Sequence, residues 1–179
     1  MDFFALIEQR RSIRRYKKQP VEAEKIAKIA EAALRAPSSR NLQSTEFIVV
    51  TEQATIGRLA QARPHGSSFL HEAPVAIVVC ADPEKCDVWI ENASIAATYI
   101  FLAAEALGLG CCWIQIRERI HHEQKTAEEY VREVLNIPSS RKVEAIIALG
   151  YPGEQKPGHP TEELPFAKVF TDTYGVQPR

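Results

Sequence analysis

Apolar residues along this chain switch between a helical spacing and unbroken strand-like runs, and the switches mark out its elements. Behind Asp2, a helix-capping residue, Phe3, Leu6, Ile7 and Ile13 recur at roughly helical spacing until Pro20. A helix is predicted there, with the basic residues Arg10 to Arg15 on its last turns and exit. Ile26, Ala27, Ile29, Ala30, Ala33 and Leu34 predict a second helix over 21–36, stopped by Pro37. Residues 46–50 read as a strand, 55–62 as a short helix and 63–72 as a loop. The unbroken apolar run over 74–80 predicts a strand covered on both faces. A long helix with many alanines follows over 89–107, ended by Gly108, and its composition requires burial. Residues 109–116 are a third strand, 124–135 a helix and 142–149 the last strand.

Four strands separated by helices imply an α+β fold, a three-layer α/β/α sandwich on a small central sheet; strand order does not follow from the pattern. The remaining stretch, 154–179, carries Pro157, Pro160, Pro165 and Pro178 with Gly158 and Gly175, so an extended tail is predicted. Its Leu164, Phe166, Val169, Phe170 and Tyr174 would be costly to leave in water, and the tail is expected to wrap across a surface. At 179 residues the chain is expected to form one domain, 1–179.

Charge is distributed unevenly. Residues 1–18 hold six basic side chains against Asp2 and Glu8, a local balance of +4 in a chain of net −1. An Arg fork binds phosphate oxygens bidentately and Ser12 adds a hydroxyl donor, so Gln9 to Tyr16 is a candidate anion site, with a solvated basic face as the alternative. The near-neutral net charge argues against a general nucleic-acid binder. The loop Pro37-Ser38-Ser39-Arg40-Asn41-Leu42-Gln43 is a second dense set of donors and acceptors. Gly108 and Gly110 follow a helix and lead into a strand, the reverse of the dinucleotide-binding order. His121 and His122 lack metal-ligand spacing, and Cys80, Cys86, Cys111 and Cys112 form no CxxC pair; buried, reduced thiols are expected. No apolar run reaches membrane-span length, so no membrane association and a cytoplasmic location are expected.

Four segments in order, RRSIRRY at 10–16, APSSRNLQ at 36–43, ALGLGCCWIQ at 106–115 and IIALGYPGEQKP at 146–157, together resemble the nitroreductase family of flavin-dependent oxidoreductases. The resemblance implies a mostly antiparallel sheet and an FMN cofactor at the interface of an intertwined homodimer. The tail would then lie over the partner subunit. It implies that Arg10, Ser12 and Arg14 hold the FMN phosphate and ribityl end, with Arg11 as a backbone neighbour. Pro37, Ser38, Ser39 and Asn41 would reach the flavin from the other subunit, with Gln43 in the same loop. Trp113, Ile114 and Gln115 would lie against the isoalloxazine, a backbone N–H of Gln115 or Ile114 facing its reactive nitrogen, with Gly110 keeping that approach open. Many relatives complete the phosphate site with a cation in the tail; residues 158–163 offer none, and Lys156 and Arg63 are the substitutes.

No catalytic side chain is then needed, because the cofactor carries the chemistry. The implied activity is hydride transfer from NADH or NADPH through FMN to a nitroaromatic, quinone or other small acceptor, by alternating use of one pocket. Two rivals remain: reductive dehalogenation or flavin fragmentation on the same fold, and a non-catalytic flavin-binding dimer.

Overall fold

A computed structural model describes residues 2–178. Asp2 caps the first helix, α1 (Phe3–Gln9), its Oδ2 accepting from the Phe4 and Ala5 N–H groups at 3.1 and 3.2 Å. The helix stops at Arg10, well before Pro20, and the chain continues extended. The predicted placement of the arginines on helical turns is therefore corrected. Ile13 and Tyr16, whose spacing mimics a helix face, instead enter the core beneath the sheet. The second helix, α2 (Ala23–Leu34), is followed by a 3-10 turn at Ser39–Asn41, strand β1 (Thr45–Val50) and helix α3 (Gln53–Leu59). Within the predicted loop lies a further 3-10 turn, Ser68–Glu72.

Strand β2 (Val75–Ala81) is buried at every position, as its unbroken apolar run requires. Helix α4 (Trp89–Ala106) leads into strand β3 (Gly110–Gln115). A small hairpin of β4 (Ile120–His122) and β5 (Lys125–Thr126), too polar to be seen in the pattern, precedes α5 (Ala127–Leu135). That helix opens on a reciprocal capping box between Thr126 and Glu129 and closes on left-handed Asn136. Strand β6 (Lys142–Gly150) completes the sheet.

The sheet order is β1-β2-β6-β3 and each of its three pairings is antiparallel. Side chains alternate between its faces. On one face Ile77, Val79, Ile147 and Leu149 pack against Ile29 and Ala33 of α2 and against Ala93, Ala97, Ile100 and Ala104 of α4. On the other, Val78, Cys80, Ile114, Ile146 and Ala148 meet Ile56 and Leu59 of α3 and Val131 of α5. Helices thus cover both faces, giving three layers.

Among the described residues, two groups of apolar side chains stay uncovered in a single chain, besides the exposed Leu34, Val49 and Ile120. One comprises Phe3, Phe4 and Ile7 of α1 with Ile95 and Tyr99 of α4; Phe4 is 73% exposed. The other is the tail, where Leu164, Phe166, Val169, Tyr174 and Val176 lie open. The start of the tail docks on its own chain: Gly158 sits so close to α1 that a Cβ there would be 2.5 Å from the Glu8 carbonyl oxygen. No helix among the described residues is long and apolar enough to cross a membrane.

Candidate functional site at the free edge of the sheet

Strand β3 is an edge strand, and an unpaired edge is a row of exposed donors and acceptors. The chain after α1 takes part of that row: Ser12 bridges Cys111 in parallel sense, and the Ile13 N–H donates to the Cys111 carbonyl at 3.0 Å. This docking is why the arginine segment is extended. Gly110 permits it, since a Cβ there would lie 2.8 Å from Ile13 Cβ. The glycine therefore makes room for Ile13.

Alternation along β3 sorts its backbone groups. The carbonyls of Cys111 and Gln115 both point away from β6, the first accepting from Ile13 and the second from Arg63 Nη1 at 3.3 Å. The N–H groups of Trp113 and Gln115 share that outward side, whereas Ile114, opposite Ile146, directs its own at β6. The Ile114 side chain is fully buried in the opposite core. Of the two backbone donors implied by the resemblance, that of Gln115 is the one on the open edge. Its carboxamide is held in place: Oε1 accepts from Trp113 Nε1 at 2.9 Å, and Nε2 donates to the buried Glu144 carboxylate at 3.2 Å. Arg117 Nε balances that carboxylate at 3.0 Å.

The basic segment flanks this edge. Arg10, Arg11 and Ser12 are half-buried and Arg14 is exposed. The Arg10 guanidinium lies over the Phe101 ring and that of Arg14 over Phe69, each 5.8 Å from the centroid. Among the described residues, no carboxylate ion pair engages the guanidinium of Arg10, Arg11, Arg14 or Arg15. Arg11 Nη1 is committed to the Pro157 carbonyl, tying the segment to the tail. Of the two candidate extra cations, Lys156 reaches the segment, its Nζ donating to the Ser12 carbonyl at 2.7 Å, while Arg63 lies at the Gln115 end of the strand. A cleft of 550 Å³ opens between Phe3, Ile7, Arg10, Ser12, Thr98 and Phe101.

The loop over 37–43 is elsewhere. Ser39 N–H donates to Asn92 Oδ1 at 3.0 Å near the start of α4, whereas Arg10 meets Phe101 nine residues further along that helix. At 1.5 Å per residue the two are about 14 Å apart along the axis. In one chain Ser12, between Arg10 and Arg14, docks on Cys111 of β3, Trp113 and Gln115 lie two and four residues further along that strand, and Pro37, Ser38, Ser39, Asn41 and Gln43 lie at the start of α4. The loop is tightly built nonetheless. Arg40, Asn41 and Gln43 all have positive φ, a conformation disfavoured for residues with a Cβ. It is held by Ser38 Oγ, which accepts the Gln43 N–H at 2.9 Å, by an Arg40–Asp87 ion pair and by Asn92. Asn92 is 3% exposed and was not anticipated as a site residue; its signal is a lone carboxamide in an alanine-rich helix that must be buried.

The adjacent thiols are both buried. Cys111 and Cys112 are successive strand residues, so their side chains point to opposite faces. Burial pushes both thiols up, most strongly Cys111, which disfavours the reactive thiolate.

With this geometry in hand, comparison with known proteins is informative. A model of the nitroreductase family matches residues 7–63 and 58–151. An FMN-dependent nitroreductase from Clostridium difficile R20291 superposes with a TM-score of 0.94 at 48% identity, over 96% of this chain and 99% of that one. A relative from Archaeoglobus fulgidus, provisionally named NADH dehydrogenase/NAD(P)H nitroreductase, is 39% identical over 155 residues, 84% of this chain and 86% of its own. An NADH dehydrogenase from Thermus thermophilus is 33% identical over 198 residues, covering 90% and 91% respectively. The chain belongs to the nitroreductase family.

Proposed function

We propose that this chain is an FMN-dependent oxidoreductase that takes hydride from NADH or NADPH and passes electrons to a nitroaromatic, quinone or other small acceptor. The observation that carries the reading is the docking of Ser12 on the free edge of β3. It sets guanidinium groups that, among the described residues, have no carboxylate partner on the same strand edge as an outward-facing backbone N–H. This donor set fits a ligand with a phosphate at one end and a planar, hydrogen-bonding ring at the other.

Arg10, Ser12 and Arg14 would hold the phosphate and ribityl end, with Lys156 behind Ser12 as the tail cation and Arg11 tethering the segment. The Gln115 N–H would face the ring, with Trp113 against it. When bound, FMN accepts a hydride from the nicotinamide and gives up its electrons to the second substrate. The protein's own groups bind and orient: a fixed backbone donor stabilises negative charge developing near the strand edge without reorganising. No side chain is assigned a proton-transfer role.

The chain is proposed to act as a homodimer. Two observations support this: the uncovered apolar faces of α1 and α4, and the 14 Å axial separation, about nine residues of helix, between the loop over 37–43 and Arg10. A second copy seated on those faces would bring Pro37, Ser38, Ser39, Asn41 and Gln43 to the first copy's ligand. The apolar tail residues would lie on the partner. All four cysteines are buried and unpaired, which suits the reducing cytoplasm as its location.

Because reductant and acceptor share one ring face, they are proposed to bind in turn. Steady-state rates measured at several NADH and quinone concentrations should give parallel double-reciprocal lines; intersecting lines would contradict the shared pocket.

A further inference from the structure

The first residue group after the last strand places an acid where a phosphate site would be expected to exclude one. Glu154 Oε1 accepts the Arg14 N–H at 2.6 Å and the Arg15 N–H at 3.3 Å, and pairs with Lys156 Nζ at 3.0 Å. The same Lys156 Nζ donates to the Ser12 carbonyl at 2.7 Å. Backbone contacts lie alongside: the Gly153 N–H donates to the Arg15 carbonyl at 2.8 Å and the Lys17 N–H to the Tyr151 carbonyl at 2.9 Å.

A carboxylate beside a basic segment has two possible effects. It can spend the positive charge meant for a ligand, in which case removing it tightens anion binding. Alternatively, it can fix the backbone that aims the cations, in which case removing it loosens binding. The choice of donors decides between them. Glu154 takes backbone N–H groups and Lys156, and it forms no ion pair with the guanidinium groups of Arg10, Arg11, Arg14 or Arg15 among the described residues. Glu154 thus takes no donor from the arginine side chains. Contacts on both sides of Ile13, at the Ser12 carbonyl and the Arg14 and Arg15 N–H groups, pin the segment against the sheet edge.

We propose that Glu154, acting through Lys156 and the Arg14–Arg15 backbone, is a positioning residue that preorganises the phosphate-binding segment, so that its negative charge strengthens rather than weakens cofactor binding. This rests on the assignment of FMN to the segment. The hydrogen bonds from Arg14 and Arg15 and the pairing with Lys156 also hold the Glu154 carboxyl below its ordinary range, so it stays ionised at neutral pH.

The test is a titration of FMN into cofactor-stripped protein, read by quenching of flavin fluorescence, for the wild type, Glu154→Gln and Glu154→Ala at low and high salt. Preorganisation predicts a ranked loss. Glu154→Ala should bind about tenfold more weakly, the value of one charge-assisted contact. Glu154→Gln should fall between, because its amide oxygen can still accept the Arg14 N–H. The ranking should survive high salt, since a geometric effect is not screened. Unchanged or tighter binding by both variants, with any tightening fading in salt, would overturn the proposal. Should Glu154→Ala not fold, as judged by circular dichroism, the sign of the Glu154→Gln effect decides. A wild type that binds no FMN would instead remove the cofactor assignment, and the proposal with it.

Discussion

A Cβ placed on Gly110 would lie 2.8 Å from Ile13 Cβ, so the arginine segment can dock on the sheet only because residue 110 has no side chain. Gly110→Ala should force the segment outward. A destabilisation of about 1–3 kcal/mol is expected for such overpacking. Denaturant midpoints measure the first effect, and an accompanying fall in FMN affinity shows that the segment has moved.

Arg10→Ala separates binding from folding. Its guanidinium has no carboxylate partner among the described residues and lies over Phe101. Stability should therefore shift by no more than about 0.5–1 kcal/mol. FMN affinity should fall by about 1.5–3 kcal/mol through loss of a charge-assisted contact. Equal FMN affinity in variant and wild type would remove Arg10 from the phosphate site.

Asn92→Ala removes the acceptor of the Ser39 N–H inside a nearly closed site. A loss of about 1–3 kcal/mol is expected, because the substitution leaves a part-buried donor unpaired in a loop that already holds three residues at positive φ. Urea unfolding measures it, and faster proteolysis within the loop would locate it.

Tyr99→Glu or Ile95→Glu places a charge on the uncovered face of α4, where the residues are 37% and 39% exposed in a single chain. Sedimentation velocity should show the wild type as a dimer and either variant shifted toward monomer, with FMN lost in parallel. A wild type that sediments as a monomer and still binds FMN would contradict the shared site.

Acid should loosen the tail junction. The Glu154 carboxyl is held below its ordinary value of 4.5 by the Arg14 N–H and Lys156, so its contribution is fully present above that value and is lost as pH falls through the folded-state value. Thermal midpoints of the wild type should therefore drop below pH 4.5, and Glu154→Gln should drop less steeply over the same range.

Much of this architecture was legible in the chain. The unbroken run at Val75–Ala81 announced a strand buried on both faces, and the alanine-rich Trp89–Ala106 a buried helix, because burial writes itself directly into composition. The order of the strands was not, since antiparallel pairing of β6 between β2 and β3 depends on contacts far apart in sequence. Ile13 misled for a local reason: it follows Phe3, Leu6 and Ile7 at roughly helical spacing, yet docking on Cys111 pulls it into the sheet core. The arginines and the Ser-rich loop were visible as chemistry, but the roles of Asn92 and Glu154 were not, because each acts through a backbone group that sequence does not display.

The central claim, that a flavin occupies the edge formed by Ser12, Cys111 and Gln115 and is reduced by a nicotinamide, is tested most directly by anaerobic absorption spectroscopy. Purified protein, or protein reconstituted with FMN, should be yellow, bleach on addition of NADH or NADPH, and regain its colour when a quinone or nitroaromatic is added. Colourless protein that takes up no FMN, or bound FMN that neither nucleotide reduces, would contradict the account.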